Sequence, residues 1–298
     1  MTHNEIEFVS KGDTRFPPLL REISDPPKGL FVRGVLEERP LISVVGTRRF
    51  TSYGRRATSH IVRDLASAGF GIVSGLALGI DGEAHQAALD VGGYTIAVLA
   101  TGIDEPSIYP REHLRLAHRI LESGGALLSE NPPKSPSVKY AFPKRNRLIA
   151  GLSPATVVIE ASVNSGSLIT ARLALEENRE VLAVPGPIWN ATSEGCHHLL
   201  KLGAKPCTSA EDVIRALNID RPALVMETRA ALPLTADESR LLSRLDRPLH
   251  IDEISTLESA SPAVIGSRLS LLELKGYAEH LGGQIWLKKG TLAKTSVK

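Results

Sequence analysis

The sequence predicts an α/β protein: a Rossmann-like, mostly parallel sheet with helices on both faces, plus a small C-terminal winged-helix domain. Three observations predict it. Short β-branched or aliphatic runs alternate with helical patterns through residues 38–217, as in successive βαβ units. Those runs show no polar alternation, which suits strands buried on both faces. Beyond Pro233 the pattern changes to three amphipathic helices followed by two short strands.

Residues 1–37 read as an N-terminal extension packing on the sheet domain. The strand runs are LISVVG (41–46), GFGIVSG (69–75), YTIAVLATG (94–102), GALLSE (125–130), TVVIEA (156–161) and EVLAVPG (180–186). Most end in Gly, Ser or Thr, and right-handed crossover helices are expected between them. A linker over 218–232, punctuated by Arg221-Pro222 and followed by Leu232-Pro233, leads to the winged helix over 233–290. Its helices are LTADESRLLSRL, HIDEISTLES and the stretch opened by Ser261-Pro262, with Pro suited to a first helical turn. Two strands follow around Gly282-Gly283, and residues 291–298 form a tail.

Composition excludes several classes. The chain has 298 residues, 42% hydrophobic and 4% aromatic, in keeping with a globular α/β protein. No apolar run approaches the ~20 residues a membrane helix needs, so no membrane insertion is expected. The start, MTHNEIEFVSKGD, lacks the basic and apolar regions of a secretory signal, which places the chain in the cytoplasm. Cys196 and Cys207 form neither a disulfide framework nor a CxxC pair. His197 and His198 beside Cys196 point in different directions on a helix, so no metal site is expected.

Charge points to an anion. The chain is balanced overall, with 35 basic and 33 acidic residues, yet two windows contain no acid. From Asn131 to Ile159 the charged residues are Lys134, Lys139, Lys144, Arg145 and Arg147. From Pro40 to Arg63 they are Arg48, Arg49, Arg55, Arg56 and Arg63. In open parallel sheets, ligands gather at the carboxyl ends of the strands. The loop VVGTRRFTSYG (44–54) follows one strand: Gly46 permits a tight turn, Thr51 or Ser52 caps the next helix, and free amides there favour an anion. The loop NSGSLITA (164–171) follows another, where Ser165, Gly166 and Ser167 can hold a phosphate with hydroxyls and amides. Neither loop is a GxGxxG fingerprint, and no GxxxxGK[ST] occurs, so no nucleotide cofactor is expected.

No complete catalytic constellation is present. Asp81 and His85 are four apart on an expected helix, where they read as a satisfied structural pair or a cap. Asp104 and Glu105 are expected to be exposed in a turn. Glu160 can serve as a general base near the Ser-Gly-Ser loop or play a structural part. The chain is read as a binding protein rather than an enzyme.

The runs SGLALGIDGEAHQAAL, TIAVLATGID, FPKRNRLIAGLS, EASVNSGSLITARLALEENREVLAVPG and LLKLGA resemble the DNA-processing protein A family (DprA, also called Smf) from about Phe16 to Asp212. The resemblance implies a protein that binds single-stranded DNA, dimerises, loads RecA recombinase onto strands coated by single-strand-binding protein, and protects incoming DNA in natural transformation. By the same resemblance, Gly46 and Arg48 lie on the family's Gly-Ser-Arg loop, with Thr47 in place of serine. Lys139, Phe142, Lys144, Arg145 and Asn146 match its DNA-contacting segment, and Ser165, Gly166 and Ser167 its phosphate loop. Two departures stand out. His197 occupies a position where the family usually has asparagine, and the stretch before Phe16 is too short for the N-terminal helical domain many members carry.

A run of phosphates therefore fits the basic stretch, with Lys139, Lys144 and Arg145 tracking the backbone. Phe142 either offers a face for base stacking or belongs to the core. The winged helix is not basic: its third-helix region offers Arg268 and Lys275 against Glu273, short of the cluster that duplex binding needs, so protein contact or regulation is expected of it. Apolar residues at helical spacing over 194–202 and 210–217 (Leu199, Leu200, Val213, Ile214 and Leu217) either face a two-fold partner or pack on their own sheet. Two other readings remain: a phosphoribohydrolase-like nucleotide-processing protein using Glu160, and a sensor of a small phosphorylated ligand.

Overall fold

The computed structural model describes residues 5–218, 234–274 and 277–288. The chain divides into two compact units, Met1–Arg221 and Pro222–Lys298. The linker expected over 218–232 falls almost wholly outside the described residues, as do Lys275 and the tail.

The first unit is built on a nine-stranded sheet. Its strands are β1 (Ile6–Ser10), β2 (Gly29–Gly34), β3 (Leu41–Val45), β4 (Gly71–Ser74), β5 (Thr95–Val98), β6 (Ala126–Ser129), β7 (Ala155–Val158), β8 (Glu180–Ala183) and β9 (Lys205–Pro206). They lie in the order β1-β2-β6-β5-β4-β3-β7-β8-β9. From β6 to β9 every pairing is parallel. The stretch 1–37 does more than pack on the sheet. Its strands extend it, β2 pairing antiparallel with β6 and β1 antiparallel with β2.

The helices are α1 (Pro18–Arg21), α2 (Ser52–Ser67), α3 (Ile80–Leu89), α4 (Leu114–Glu122), α5 (Ala141–Gly151), α6 (Gly166–Glu176), α7 (Glu194–Lys201) and α8 (Ala210–Ala216). Side chains alternate across each strand, so one sheet feeds two cores. Val45, Val73, Ile96, Val98, Leu128, Val158 and Val181 pack with Leu20 of α1, Leu148 of α5, Ala171 of α6 and Leu199 of α7. Their neighbours Val44, Ile72, Val157 and Leu182 face the other way, towards Ile61 and Leu65 of α2, Ala84 of α3 and Val213 of α8. Ala97, Leu99 and Leu127 meet Leu116 and Ile120 of α4 on that side.

The chain starts its parallel sheet at β3, runs outward through β4, β5 and β6, then returns to place β7 on the other side of β3. The β3–β7 pair is thus the topological switch point, where a crevice opens between loops that diverge to opposite faces.

Among its described residues the second unit has three helices, Ala236–Arg244, Ile251–Glu258 and Pro262–Leu274. Thr235 and Glu238 form a capping box at the first. Leu241, Leu245, Ile254, Ile265, Leu269 and Trp286 form its core. Its sheet has one strand more than expected: Leu249–His250 pairs with Ile285–Lys288, which also pairs with Ala278–Gly282.

Candidate nucleic-acid interface

The switch point holds a cleft of roughly 360 Å³ whose lining includes Gly46, Arg48, Asp81, Phe142, Arg145, Asn146, Ser165, Gly166 and Ser167. Residues separated by over a hundred positions in sequence meet here because β3 and β7 are neighbours and α5 leads into β7.

The loop after β3 is pinned from both sides. The Thr47 amide donates to the Glu160 carbonyl at 2.6 Å, and the Thr47 carbonyl accepts from the Ile80 amide at 3.1 Å. A Cβ on Gly46 would stand 2.6 Å from Ile80 Cγ1, so only glycine lets α3 approach this closely. Gly79, at φ +94°, meets the same restriction, since a Cβ there would lie 2.2 Å from the Thr47 carbonyl oxygen. Held in this way, the loop presents Arg48 outward, with its guanidinium carbon 5.6 Å from the centroid of the Phe142 ring. Phe142 is half-buried, and Tyr109 packs edge-on against it at 6.0 Å. Phe142 is therefore both supported and partly open.

The anion that α2 was expected to attract is part of the protein. Glu160, at the end of β7, accepts from the Thr51 amide at 2.8 Å, the Thr51 hydroxyl at 2.6 Å and the Thr192 hydroxyl at 3.2 Å. Its carboxylate occupies the positive end of α2, is 1% exposed, and is absent from the cleft lining.

The loop after β7 keeps its start open. Ser165 caps α6, with its hydroxyl accepting from the Ser167 amide at 3.3 Å and lying 2.7 Å from the Ser167 hydroxyl. Gly166 is exposed, with open space where a side chain would stand. Asn146 of α5 reaches across to it, its amide donating to the Gly166 carbonyl at 3.4 Å.

The three cations of AFPKRNRLIAG lead different lives. Arg145 is buried, donating to the Gly75 carbonyl at 2.8 Å and also to the Val98 carbonyl. Burial pulls its guanidinium down to about 10, an effect that facing Asp81 opposes. It stays charged at neutral pH, beneath the cleft. Burial raises the Asp81 carboxyl above the usual range, while Arg145 and the Gly75 amide act against the rise. Arg147 is also buried, bound by both Glu130 oxygens at 2.8 Å and by Asp25 at 3.0 Å. Lys144 is exposed and pairs with Glu130 at 3.3 Å. Acid-free in sequence, the window is supplied with acids in space. Lys139 is exposed on the loop before α5, and neither it nor Lys144 lines the cleft. Among the described residues, Arg48 and Lys139 form no ion pair.

Asp81 and His85 do not meet. Asp81 accepts from the Gly75 amide at 3.1 Å, while His85 Nδ1 lies 2.7 Å from the Thr95 hydroxyl. That hydroxyl donates to the Ile72 carbonyl, so it accepts from His85. Burial, first of all, lowers His85 to about 3 and keeps it neutral. Asp104 is half-buried rather than exposed, accepting from the Lys134 amide at 2.6 Å and the Ser107 hydroxyl at 2.9 Å. His197 Nε2 lies 3.0 Å from the Gly186 carbonyl. Leu199 and Val213 are buried in this chain's own cores, and Leu200, Ile214 and Leu217 pack against them. Their helical spacing is thus accounted for within one chain.

Sequence reasoning missed Tyr109, which supports Phe142, and the cleft-lining Ser162, and it gave no role to Asn164 within the 164–171 loop. The place of Ser162 and Asn164, just after a strand next to β3, was the signal available.

The sequence matches the family profile described as DNA recombination-mediator protein A over residues 7–218, and that of the DprA winged helix domain over 226–284. Escherichia coli Protein Smf is 50% identical over 204 residues, 68% of this chain and 54% of that protein; the match thus spans about half of that relative. DNA processing protein DprA of Bacillus subtilis is 43% identical over 217 residues, 72% of this chain and 71% of that one. Among solved structures, DprA from Streptococcus pneumoniae superposes with a TM-score of 0.67 at 43% identity, covering 71% of this chain and 74% of that one. DprA from Helicobacter pylori, whose structure is described as showing a single-stranded DNA binding mode, superposes with a TM-score of 0.64 at 30% identity, covering 74% and 98%. Among the described residues, no helix is long and apolar enough to cross a membrane.

Proposed function

Because the chain belongs to the DNA recombination-mediator protein A family, we propose that the cleft at the β3–β7 switch point holds single-stranded DNA by its phosphates. One observation carries the reading: Arg48 and Phe142 set a cation and an aromatic face 5.6 Å apart, beside the open Ser165–Ser167 loop that begins α6. Cations beside an aromatic, with little to read a base edge, suit a flexible strand of any sequence. Arg48 and the Ser-Gly-Ser loop take phosphates, Asn146 holds that loop in place, and Phe142 stacks on a base. Lys139 and Lys144 extend the positive field along the strand's path. Arg145 serves from below by fixing α5 to the sheet.

The task we assign is non-catalytic. The protein covers incoming single strands, as a two-fold dimer, and passes them to RecA recombinase in the presence of single-strand-binding protein. The likeness to a protein described as binding single-stranded DNA supports this use of the cleft. Glu160, the residue a nucleotide-processing reading would employ, is committed to three hydrogen bonds away from the cleft.

The test is a titration of oligo-dT, duplex of equal length and mononucleotides over a salt series. The log of the single-strand binding constant should fall linearly with log salt, by about 0.7 per phosphate neutralised. A flat salt response, or stronger binding of duplex or mononucleotide, would overturn the reading.

A further inference from the structure

The loop between β8 and α7 carries Ile188 and Trp189, which are 72% and 84% exposed. Such exposure is unusual for an indole, a large apolar ring that gains from burial. The loop beneath them is not loose. The Pro185 carbonyl accepts from the Tyr53 hydroxyl, the Gly186 carbonyl lies 3.0 Å from His197 Nε2, and the Asn190 amide donates to the Pro187 carbonyl at 3.1 Å. The backbone is fixed while the indole is left out in solvent.

Its place in the fold is informative. β8 is the neighbour of β7, so the Trp189 loop leaves the sheet beside the loop that bears Ser165–Ser167, on the same carboxyl edge. The two loops are joined. The Ala161 amide donates to the Thr192 carbonyl at 2.7 Å, and the Gly195 amide to the Ala161 carbonyl at 2.8 Å. A Cβ on Gly195 would lie 3.0 Å from the carbonyl of Ser162, and Ser162 lines the cleft. Val163, next along that rim, is 59% exposed. From Val181 to Ser193 the chain has no acid, so nothing on this loop repels a phosphodiester.

We infer that Trp189 is a second stacking platform, which receives a base of a single strand leaving the cleft on the β8 side. The inference rests on the single-strand reading of the cleft and extends it by a specific residue. Phe142 reaches the cleft from α5, while Trp189 follows β8, which flanks β7 on the side away from β3. A strand whose phosphates sit at the Ser-Gly-Ser loop has one aromatic face available from α5 and another from the loop after β8. Stacking tolerates any base, which suits a site that reads no sequence.

Two measurements on the full chain test it. The protein has two tryptophans, and the other, Trp286, is buried in the C-terminal unit. Saturating oligo-dT should therefore quench the exposed indole's emission. In the W189F variant that quenching should vanish with affinity largely kept. W189A should bind about 5- to 150-fold more weakly with the salt slope unchanged. Urea melting of W189A should match wild type, because the ring packs on little of the protein. Wild-type binding without quenching, together with W189A affinity equal to wild type, would overturn this inference and leave the cleft reading standing. Wild type that fails to bind oligo-dT would overturn both. A W189A variant that loses self-association in sedimentation but keeps its DNA affinity would assign the ring to a second copy and overturn the inference too.

Discussion

Arg48, Lys144 and Arg145 carry the same charge, yet burial and partners separate them. Arg48 is exposed, without an ion pair among the described residues, and beside an aromatic face. Arg48→Ala should weaken oligo-dT binding for every sequence alike and shallow the salt slope by about 0.7. Lys144, itself exposed, shares half-buried Glu130 with Arg147, and solvent weakens the Lys144 side of that contact. Lys144→Ala should therefore lower affinity in the same way but by less, as a filter-binding series would register. Arg145 is different in kind. Arg145→Met leaves Asp81 buried and facing no counter-charge, so it should destabilise the fold by about 3–5 kcal/mol, read from urea melting. His85 adds a pH dependence. Its folded pKa of about 3 lies below the unfolded value of ~6.5, so only the unfolded state gains a proton as pH falls between them. Stability should drop with acid, by about 2 kcal/mol from pH 8 to 5 for this group. In His85→Gln that loss should be smaller. Comparing the two proteins isolates the histidine from Asp81, whose raised pKa acts in the opposite direction.

At the scale of elements, the site depends on how strand ends meet helix starts. Glu160 closes β7 and at the same time caps α2, tying the loop after β3 to the loop after β7 through one carboxylate. Glu160→Ala would leave the Thr51 amide and two hydroxyls without their partner in a partly buried place. The expected cost is about 2–3 kcal/mol, measured by urea melting. Six parallel strands were legible because uninterrupted aliphatic runs mark double burial, and the structure shortens them, as from 94–102 to Thr95–Val98. β1, β2 and β9 were not legible. β9 is two residues long, and GLFVRG of β2 follows a proline-rich stretch that reads as loop. Its neighbour β6 decides its state by offering a free antiparallel edge.

At the scale of the whole molecule, a cleft of roughly 360 Å³ covers only a short piece of a flexible strand. Two clefts joined in a dimer would make the second contact intramolecular and raise avidity by up to ~10²-fold or more. Sedimentation should therefore report a dimer at micromolar concentration, and oligo-dT long enough to span two clefts should bind far more tightly than short oligo-dT. A monomer with equal affinity for both would remove the two-fold mechanism. The interface is not to be sought at Leu199 or Val213, which the chain consumes in its own cores. In the C-terminal unit Arg268 is half-buried, and it is the one basic residue of the Pro262–Leu274 helix. Arg268→Ala should leave oligo-dT affinity unchanged.

The six strands from β3 to β8 were settled by the sequence alone, because hydrophobic periodicity is local and each of those runs carries it without help from distant residues. The loops that build the cleft were also readable, since glycine and serine at strand ends mark turns and caps whatever the tertiary setting. Charge was not readable in this way. Coulomb attraction acts through space, so an acid-free window of sequence says nothing of the acids that folding brings beside it. Only the tertiary structure decided that Glu130 and Asp25 meet Arg147, that Asp81 faces a buried Arg145, and that Glu160 fills the anion position of α2. It likewise decided which aromatic stays in water. Trp189 sits in a turn-rich stretch that any sequence rule would read as loop, and its 84% exposure accompanies a backbone anchored to Tyr53, Ala161 and His197.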